Sequence, residues 1–305
     1  VKLEQEEMGE MKLNKHRNID TFLEETLKYL EQSEALNNLM LGICNTIKNN
    51  PDYYSNVYLA TVKQGEELAI ATVMTPPNKL VVYSNREECD EAIELLVEDL
   101  RNRNIDIPGV IGPKELSKRT CDIWSKYSNC QIKLEMNMRV YELREVNKDT
   151  IGEGILRPAD EEDLEFVAQG RYNFEIDTGL NASPDKEKCY EVVRNMLPEK
   201  TIFLWEDAGK VVSMAAKARP TQNGATVNLV HTPKELRKRG YATSCVAALS
   251  QHLLDSGYKF CSLFTDLANP TSNSIYMKIG YKPVGDYDSY IIEKGRNNND
   301  KANVN

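Results

Sequence analysis

Two clusters of residues in the second half of this 305-residue chain have types and spacings suited to chemistry. The first is Arg237-Lys238-Arg239-Gly240-Tyr241-Ala242, set between an apolar strand-like run and a helical one. A turn of this kind aims several backbone N–H groups and the positive end of a helix at one point, which favours an anion. Gly240 lets backbone approach closely and Ala242 leaves room where a larger side chain would collide, so diphosphate is the natural ligand. The second cluster runs from Asn269 to Tyr281, with Asn269-Pro270 opening a helix, Ser272 and Asn273 in its first turn, Tyr276 further along and Gly280 at its end. If the strands before these two helices are neighbours, Tyr276 looks into the crevice at their carboxyl ends, where ligands of open α/β sheets sit. A phenol of ordinary pKa ~10 stays protonated at neutral pH and can donate to a departing thiolate of ~8.5.

The elements that must position these residues follow from periodicity. The second half reads as a strand at 155–157, a helix capped by Asp160 with Asp163 three residues on, and a helix opened by Ser183-Pro184. Strands at 201–206, 210–218 and 225–232 follow, joined by turns at Asp207-Ala208-Gly209 and Asn223-Gly224. A helix from Ala242 to Gly257, a strand at 260–265 parallel to its predecessor, a helix at 269–280 and a strand near 287–292 complete the order β-α-α-β-β-β-α-β-α-β. The first half shows helical spacing from Leu23 to Ile47, strands at 58–62, 68–74 and 79–83, a helix at 86–103, a break at Pro108-Gly109, a helix from Pro113 through Trp124 and a strand at 132–140. This predicts two domains, 20–145 and 155–294, joined by a charged linker at 146–154. The polar ends, 1–19 and 295–305, are expected to be flexible.

A net charge of −9 argues against nucleic acid as a partner, and the Lys234, Arg237, Lys238, Arg239 group stands out against it. No apolar run is long enough to span a bilayer and no export signal opens the chain, so a cytoplasmic protein without a membrane role is expected. Seven scattered cysteines and three histidines, His16, His231 and His252, offer no metal-ligand spacing; no metal is expected.

The paired motifs resemble those of the GNAT superfamily of N-acetyltransferases. In that family a coenzyme-A loop reads Arg/Gln-x-x-Gly-x-Gly/Ala and a later helix reads Asn-x-x-Ala-x-x-x-Tyr-x-x-x-Gly-Phe. Arg237, Gly240 and Ala242 match the first; Asn269, Tyr276 and Gly280 match the second, with Ser272 replacing Ala and Tyr281 replacing Phe. The resemblance covers about 140 residues and implies an α/β fold with a mixed, mostly antiparallel sheet flanked by helices. It also implies acetyl-CoA as co-substrate, with Val230, His231 and Thr232 along the pantetheine arm and Arg237 to Ala242 around the diphosphate. Tyr276 is then the acid that protonates the thiolate. The first half echoes the fold without the loop, so a tandem arrangement with a degenerate first unit is expected.

The resemblance implies a primary amine of a small molecule or peptide as acceptor, and His231, Glu175 and Asp177 are candidates to deprotonate or orient it. Buried Cys245 and Cys261 make an acyl-cysteine route improbable, so direct attack on the thioester is the expected chemistry. A non-catalytic acyl-CoA sensor or assembly module is the alternative, and the protein is expected as a monomer or homodimer.

Overall fold

A computed structural model describes residues 9–295. The two halves of the chain run through the same order of elements. The first contributes β1 (Met11–Lys15), α1 (Ile19–Glu31), α2 (Asn38–Asn49), β2 (Tyr58–Gln64), β3 (Glu67–Met74), β4 (Leu80–Tyr83), α3 (Asp90–Asn102), β5 (Gly109–Pro113), α4 (Lys114–Tyr127) and β6 (Cys130–Leu143). The second contributes β7 (Ile155–Pro158), α5 (Leu164–Asp177), α6 (Lys186–Met196), β8 (Ile202–Asp207), β9 (Lys210–Ala218), β10 (Gly224–His231), α7 (Tyr241–Asp255), β11 (Phe260–Asp266), α8 (Pro270–Ile279) and β12 (Lys282–Lys294).

The compact units do not coincide with these halves. Among the described residues, the first unit takes 9–33, 40–138 and 285–295; the second takes 34–39 and 139–284. Within the first, strand order is β1-β2-β3-β4-β5-β12-β6, so the last strand of the chain lies between two strands of the first half. Tyr287 pairs antiparallel with Pro113 and Ile291 with Gly109, which moves the expected 287–292 strand out of the domain to which sequence order assigns it. Within the second unit the order is β6-β11-β10-β9-β8-β7, with Arg139–Leu143 of β6 standing where β12 is expected. Hydrogen-bonding edges specify strand partners, and an edge does not record which half of the chain supplied its partner.

Several local expectations also change. Met11–Lys15 is a strand paired to β2, with Met11 and Leu13 against the core; two alternating apolar residues were too short a signal to read. Residues 1–8 and 296–305 lie outside the described residues. The helical run from Leu23 to Ile47 breaks into α1 and α2. Pro108-Gly109 leads into a strand, β5, and Pro113 ends that strand as the residue before α4. Asp185, not Ser183, caps α6, its Oδ1 accepting the Lys188 N–H at 3.2 Å. The capping box at Asp160 and Asp163 forms as expected, and Arg157 holds Asp163 at 2.6 Å.

The stretch 146–154 is packed, not a free linker. The Asn147 N–H bonds the Ile279 carbonyl at 2.8 Å, Thr150 is buried, and the Gly152 N–H reaches Ser244 Oγ at 3.0 Å. In the second unit the sheet is covered on one face by α7, whose Cys245, Val246, Leu249 and Leu253 join Trp205, Val227, Leu263 and Tyr276 in one core. The α5 and α6 helices cover the other face, with Val167, Val193, Leu204 and Met214 between them and the strands. Two apolar faces sandwiching one sheet fix the ends of β10 and β11 relative to the helices that follow them.

Candidate active site

β10 and β11 are parallel, as expected, and pair at Gly224–Phe260, Ala225–Cys261 and Thr226–Ser262. Among the described residues the pairing ends there. Past Thr226, β10 bulges: the register with β9 shifts between Asn228 and His231, and Leu229 adopts φ +51, a left-handed conformation costly for a branched side chain. A bulge bends its strand, and the two neighbours open at their carboxyl ends.

The basic turn sits at that opening. Lys238 and Gly240 both have positive φ, +64 and +86, and a side chain built on Gly240 would meet nothing within 4 Å. The first backbone bond of α7 runs from the Ser244 N–H to the Gly240 carbonyl at 3.0 Å. The N–H groups of Gly240, Tyr241, Ala242 and Thr243 precede that ladder and have no partner among the described residues. Lys238 and Arg239 are exposed beside them. Open amides, free space and positive charge coincide, which suits a diphosphate.

Arg237 has a different task. Its Nε donates to the Thr232 carbonyl at 2.9 Å and its Nη2 to Asp177 Oδ2 at 2.5 Å, with Lys234 a further 3.5 Å from Asp177. Arg237 thus braces the turn from behind. Burial works against the ionised Asp177, but Arg237 and Lys234 outweigh it and hold the carboxyl below its ordinary range. Asp177, expected in a loop beside the acceptor, is the last residue of α5 and is committed to this brace. Tyr241 is anchored through its hydroxyl, which donates to Asp207 at 2.7 Å.

From β9, Ser213 Oγ donates to the carbonyl of His231, the last residue of β10, at 3.1 Å and shares a hydrogen bond with Thr232 Oγ1 at 2.9 Å. Val230 is half-buried against the α7 core. His231 is 5% exposed, and burial followed by the charge of Arg237 lowers its pKa to about 4. The imidazole is therefore neutral and weakly basic, a poor acceptor for the proton of an alkylammonium.

Tyr276 is 9% exposed and packs against Tyr141 and Tyr281 at ring distances of 6.4 and 6.0 Å. Burial pushes its phenol up to about 12. Its hydroxyl has no hydrogen-bond partner among the described residues, whereas Tyr281 shares a bond with Ser250 and Tyr141 donates to Asn273. Asn269 caps α8, its Oδ1 accepting the Ser272 N–H at 3.0 Å, and Asn273 ties α8 to the Asp266 carbonyl at 2.9 Å. These asparagine side chains hold the helix in place; Ser272 is half-buried beside them.

On the α5 face lies a cleft of about 360 Å³, lined by Arg171, Glu175, Asn181, Met196 and Asn228 among others. Glu175 lies 3.2 Å from Arg171 and 3.5 Å from Asn181, so of the two expected acidic residues it alone faces this space. Sequence reasoning missed Arg171, Asn228 and the bulge at Leu229. A helix-borne arginine and a non-glycine residue at positive φ have no local signature that separates them from ordinary surface positions.

Residues 207–289 match the family model described as FR47-like protein. This stretch is an FR47-like domain of the GNAT superfamily. No curated protein matches the chain in sequence. Among solved structures, the chain is similar to a GNAT-family acetyltransferase from Colwellia psychrerythraea at 13% identity, covering 93% of this chain and 100% of that one, with a TM-score of 0.53. It is also similar to a Drosophila protein at 14% identity, covering 93% and 99%, with a TM-score of 0.62. A tandem GNAT protein from the clavulanic acid biosynthesis pathway, solved without AcCoA, matches at 10% identity over 94% and 99%, with a TM-score of 0.58. At such identities the likeness is one of fold, and it extends over both GNAT-like halves. Neither the family match nor the fold names an acceptor.

Proposed function

We propose that the second unit transfers an acetyl group from acetyl-CoA to a primary amine. The observation that supports this reading is the set of four open amides at Gly240–Thr243 after a strand whose parallel pairing ends at Thr226–Ser262, together with an unbonded phenol at Tyr276 in the core beneath α7. Coenzyme A fits these residues: the amides and Gly240 would take its diphosphate, and the bulged edge of β10 from Val230 to Thr232 would run beside the pantetheine arm. When bound, acetyl-CoA supplies an activated thioester.

The amine nitrogen forms a bond to the acetyl carbon as the carbon–sulfur bond breaks, and the proton lost by the nitrogen is balanced by one gained at sulfur. Tyr276 is the proton donor to that sulfur. Its phenol, near 12, is a weaker acid than an exposed one, but a thiolate formed in the same desolvated place is raised for the same reason, which narrows the gap. Glu175 orients the incoming ammonium, which gives up one proton to water before its neutral nitrogen attacks, and the weak basicity of His231 assigns it to the wall of the arm, not to proton abstraction.

Thiol release under saturating acetyl-CoA tests the reading. Tyr276→Phe is expected to lower turnover ~100-fold while leaving the coenzyme-A Kd unchanged, since a positioned acid is worth ~10²–10⁴. Full turnover in the variant removes the acid assignment; coenzyme-A binding with no thiol release from any amine in the wild type favours a non-catalytic acyl-CoA sensor instead.

A further inference from the structure

The cleft on the α5 face, about 360 Å³, is of a size that takes one small molecule. Its walls are mostly apolar: Phe174 of α5, Leu180 in the loop that follows, Met196 at the end of α6, and Ala216, Ala218 and Leu229 from the sheet. Leu180 is 62% exposed. Asn228 is exposed although β10 runs between β9 and β11, so the helices leave this part of the sheet face bare. A bare apolar lining is surface that a ligand can remove from water.

Charge and backbone narrow the ligand further. Among the described residues lining the cleft, Glu175 is the sole carboxylate, and Arg171 stands 3.2 Å from it. Lys217 is level with Val227, which packs in the α7 core, so its side chain turns to the opposite face and it gives the cleft only backbone. One ammonium is matched by Glu175, whereas the second charge of a diamine or polyamine meets Arg171 and no further anion. The strand flooring the cleft offers no free edge. Ala216 and Ala218 pair with β10, Ala216 is level with Ile202 of β8, and the Lys217 N–H donates to the Thr201 carbonyl at 2.7 Å. An extended peptide therefore finds no ladder to join. Two short stretches of chain connect the cleft to the turn and to the arm: Leu229 immediately precedes Val230, and Glu175 lies in the same last turn of α5 as Asp177, the brace of Arg237.

We propose that this cleft selects a monoamine with a compact apolar body, an aryl or branched alkyl group on a short chain. The body lies against Phe174, Leu180 and Met196, and the ammonium is directed to Glu175. The bonds made and broken are those of acetyl transfer, nitrogen to acetyl carbon and carbon from sulfur. The proposal rests on the transferase reading of the same unit and narrows its acceptor.

The test compares 2-phenylethylamine with ethylamine, spermidine, phenylalanine and triglycine in thiol release at saturating acetyl-CoA. A kcat/KM at least ~10-fold higher for 2-phenylethylamine than for each of the others is expected. Leu180→Glu changes an exposed loop position, and should cut the preference over ethylamine ~10-fold with the coenzyme-A Kd unchanged. Met196→Gln should act in the same direction. Any of the comparison amines used as well as 2-phenylethylamine, or a preference untouched by both variants, overturns the proposal and leaves acetyl transfer standing. If no amine releases thiol, calorimetry with 2-phenylethylamine decides: binding weakened in Leu180→Glu keeps the apolar cleft while the transferase reading falls, and binding that is absent or unchanged in the variant removes both.

Discussion

The turn from β4 to α3 and the turn from β10 to α7 occupy the same place in the two halves of the chain, yet the second alone sets open amides beside positive charge. Each follows a strand paired in parallel with the next one, β4 with β5 and β10 with β11. In the first, the strands stay zipped: a side chain on Gly112 of β5 would stand 2.5 Å from the Val82 carbonyl of β4. In the second, a bulge at Leu229 opens them. The first turn of α3 bears Asp90 and Glu91, whereas α7 is preceded by Arg237, Lys238 and Arg239. A helix N-terminus alone is thus not an anion site. Open strands, a left-handed glycine and a first helical turn without acidic residues coincide only in the second.

The comparison breaks most sharply at Gly240. Gly240→Val forces a branched residue into φ +86 and fills the open space, and is expected to weaken coenzyme-A binding by ~100- to 1000-fold in calorimetry. Gly112→Ala attacks the zipped pair instead. It should destabilise the first unit by about 3 kcal/mol in chemical denaturation through overpacking, with coenzyme-A affinity of the folded protein unchanged.

Acid separates the units as well. The folded pKa of His231 lies near 4, below its ordinary 6.5, so between these values the unfolded chain binds more protons. Stability of the second unit should be complete above pH 6.5 and fall by about 3 kcal/mol as pH drops towards 4, a loss that His231→Gln removes. His16 in the first unit is also lowered by burial, but Glu25 at 3.0 Å opposes the shift, so the acid transition of that unit should be shallower. The smallest effect is expected from converting the α3 turn: Asp90→Lys with Glu91→Lys should leave coenzyme-A stoichiometry at one site per chain by equilibrium dialysis, because β4 and β5 remain closed. A second site would show that charge alone distinguishes the turns.

Much of the second unit was legible from residues close together in sequence. The Asp160 capping box and the Asn269 cap each depend on a few neighbouring residues, and each forms where the pattern puts it. The local geometry of the 237–242 turn follows from its own residues, whereas side-chain partners from elsewhere in the chain were not readable. Asp177 looked like a pocket acid and is a brace for Arg237; His231 looked like a base and is buried neutral. Both outcomes are set by partners distant in sequence.

By itself the chain's order of residues determined the β-α-α-β-β-β-α-β-α-β plan of the second half, the basic turn at 237–242 and the helix bearing Tyr276, because periodicity, caps and glycine conformations act over one or two turns of backbone. Only the tertiary structure decided that β12 completes the first unit, that β10 and β11 part beyond Thr226, and that His231 is buried beside Arg237. Strand partnership and desolvation are properties of what surrounds a residue in space, and pairing edges from distant parts of a chain carry no mark in their local sequence.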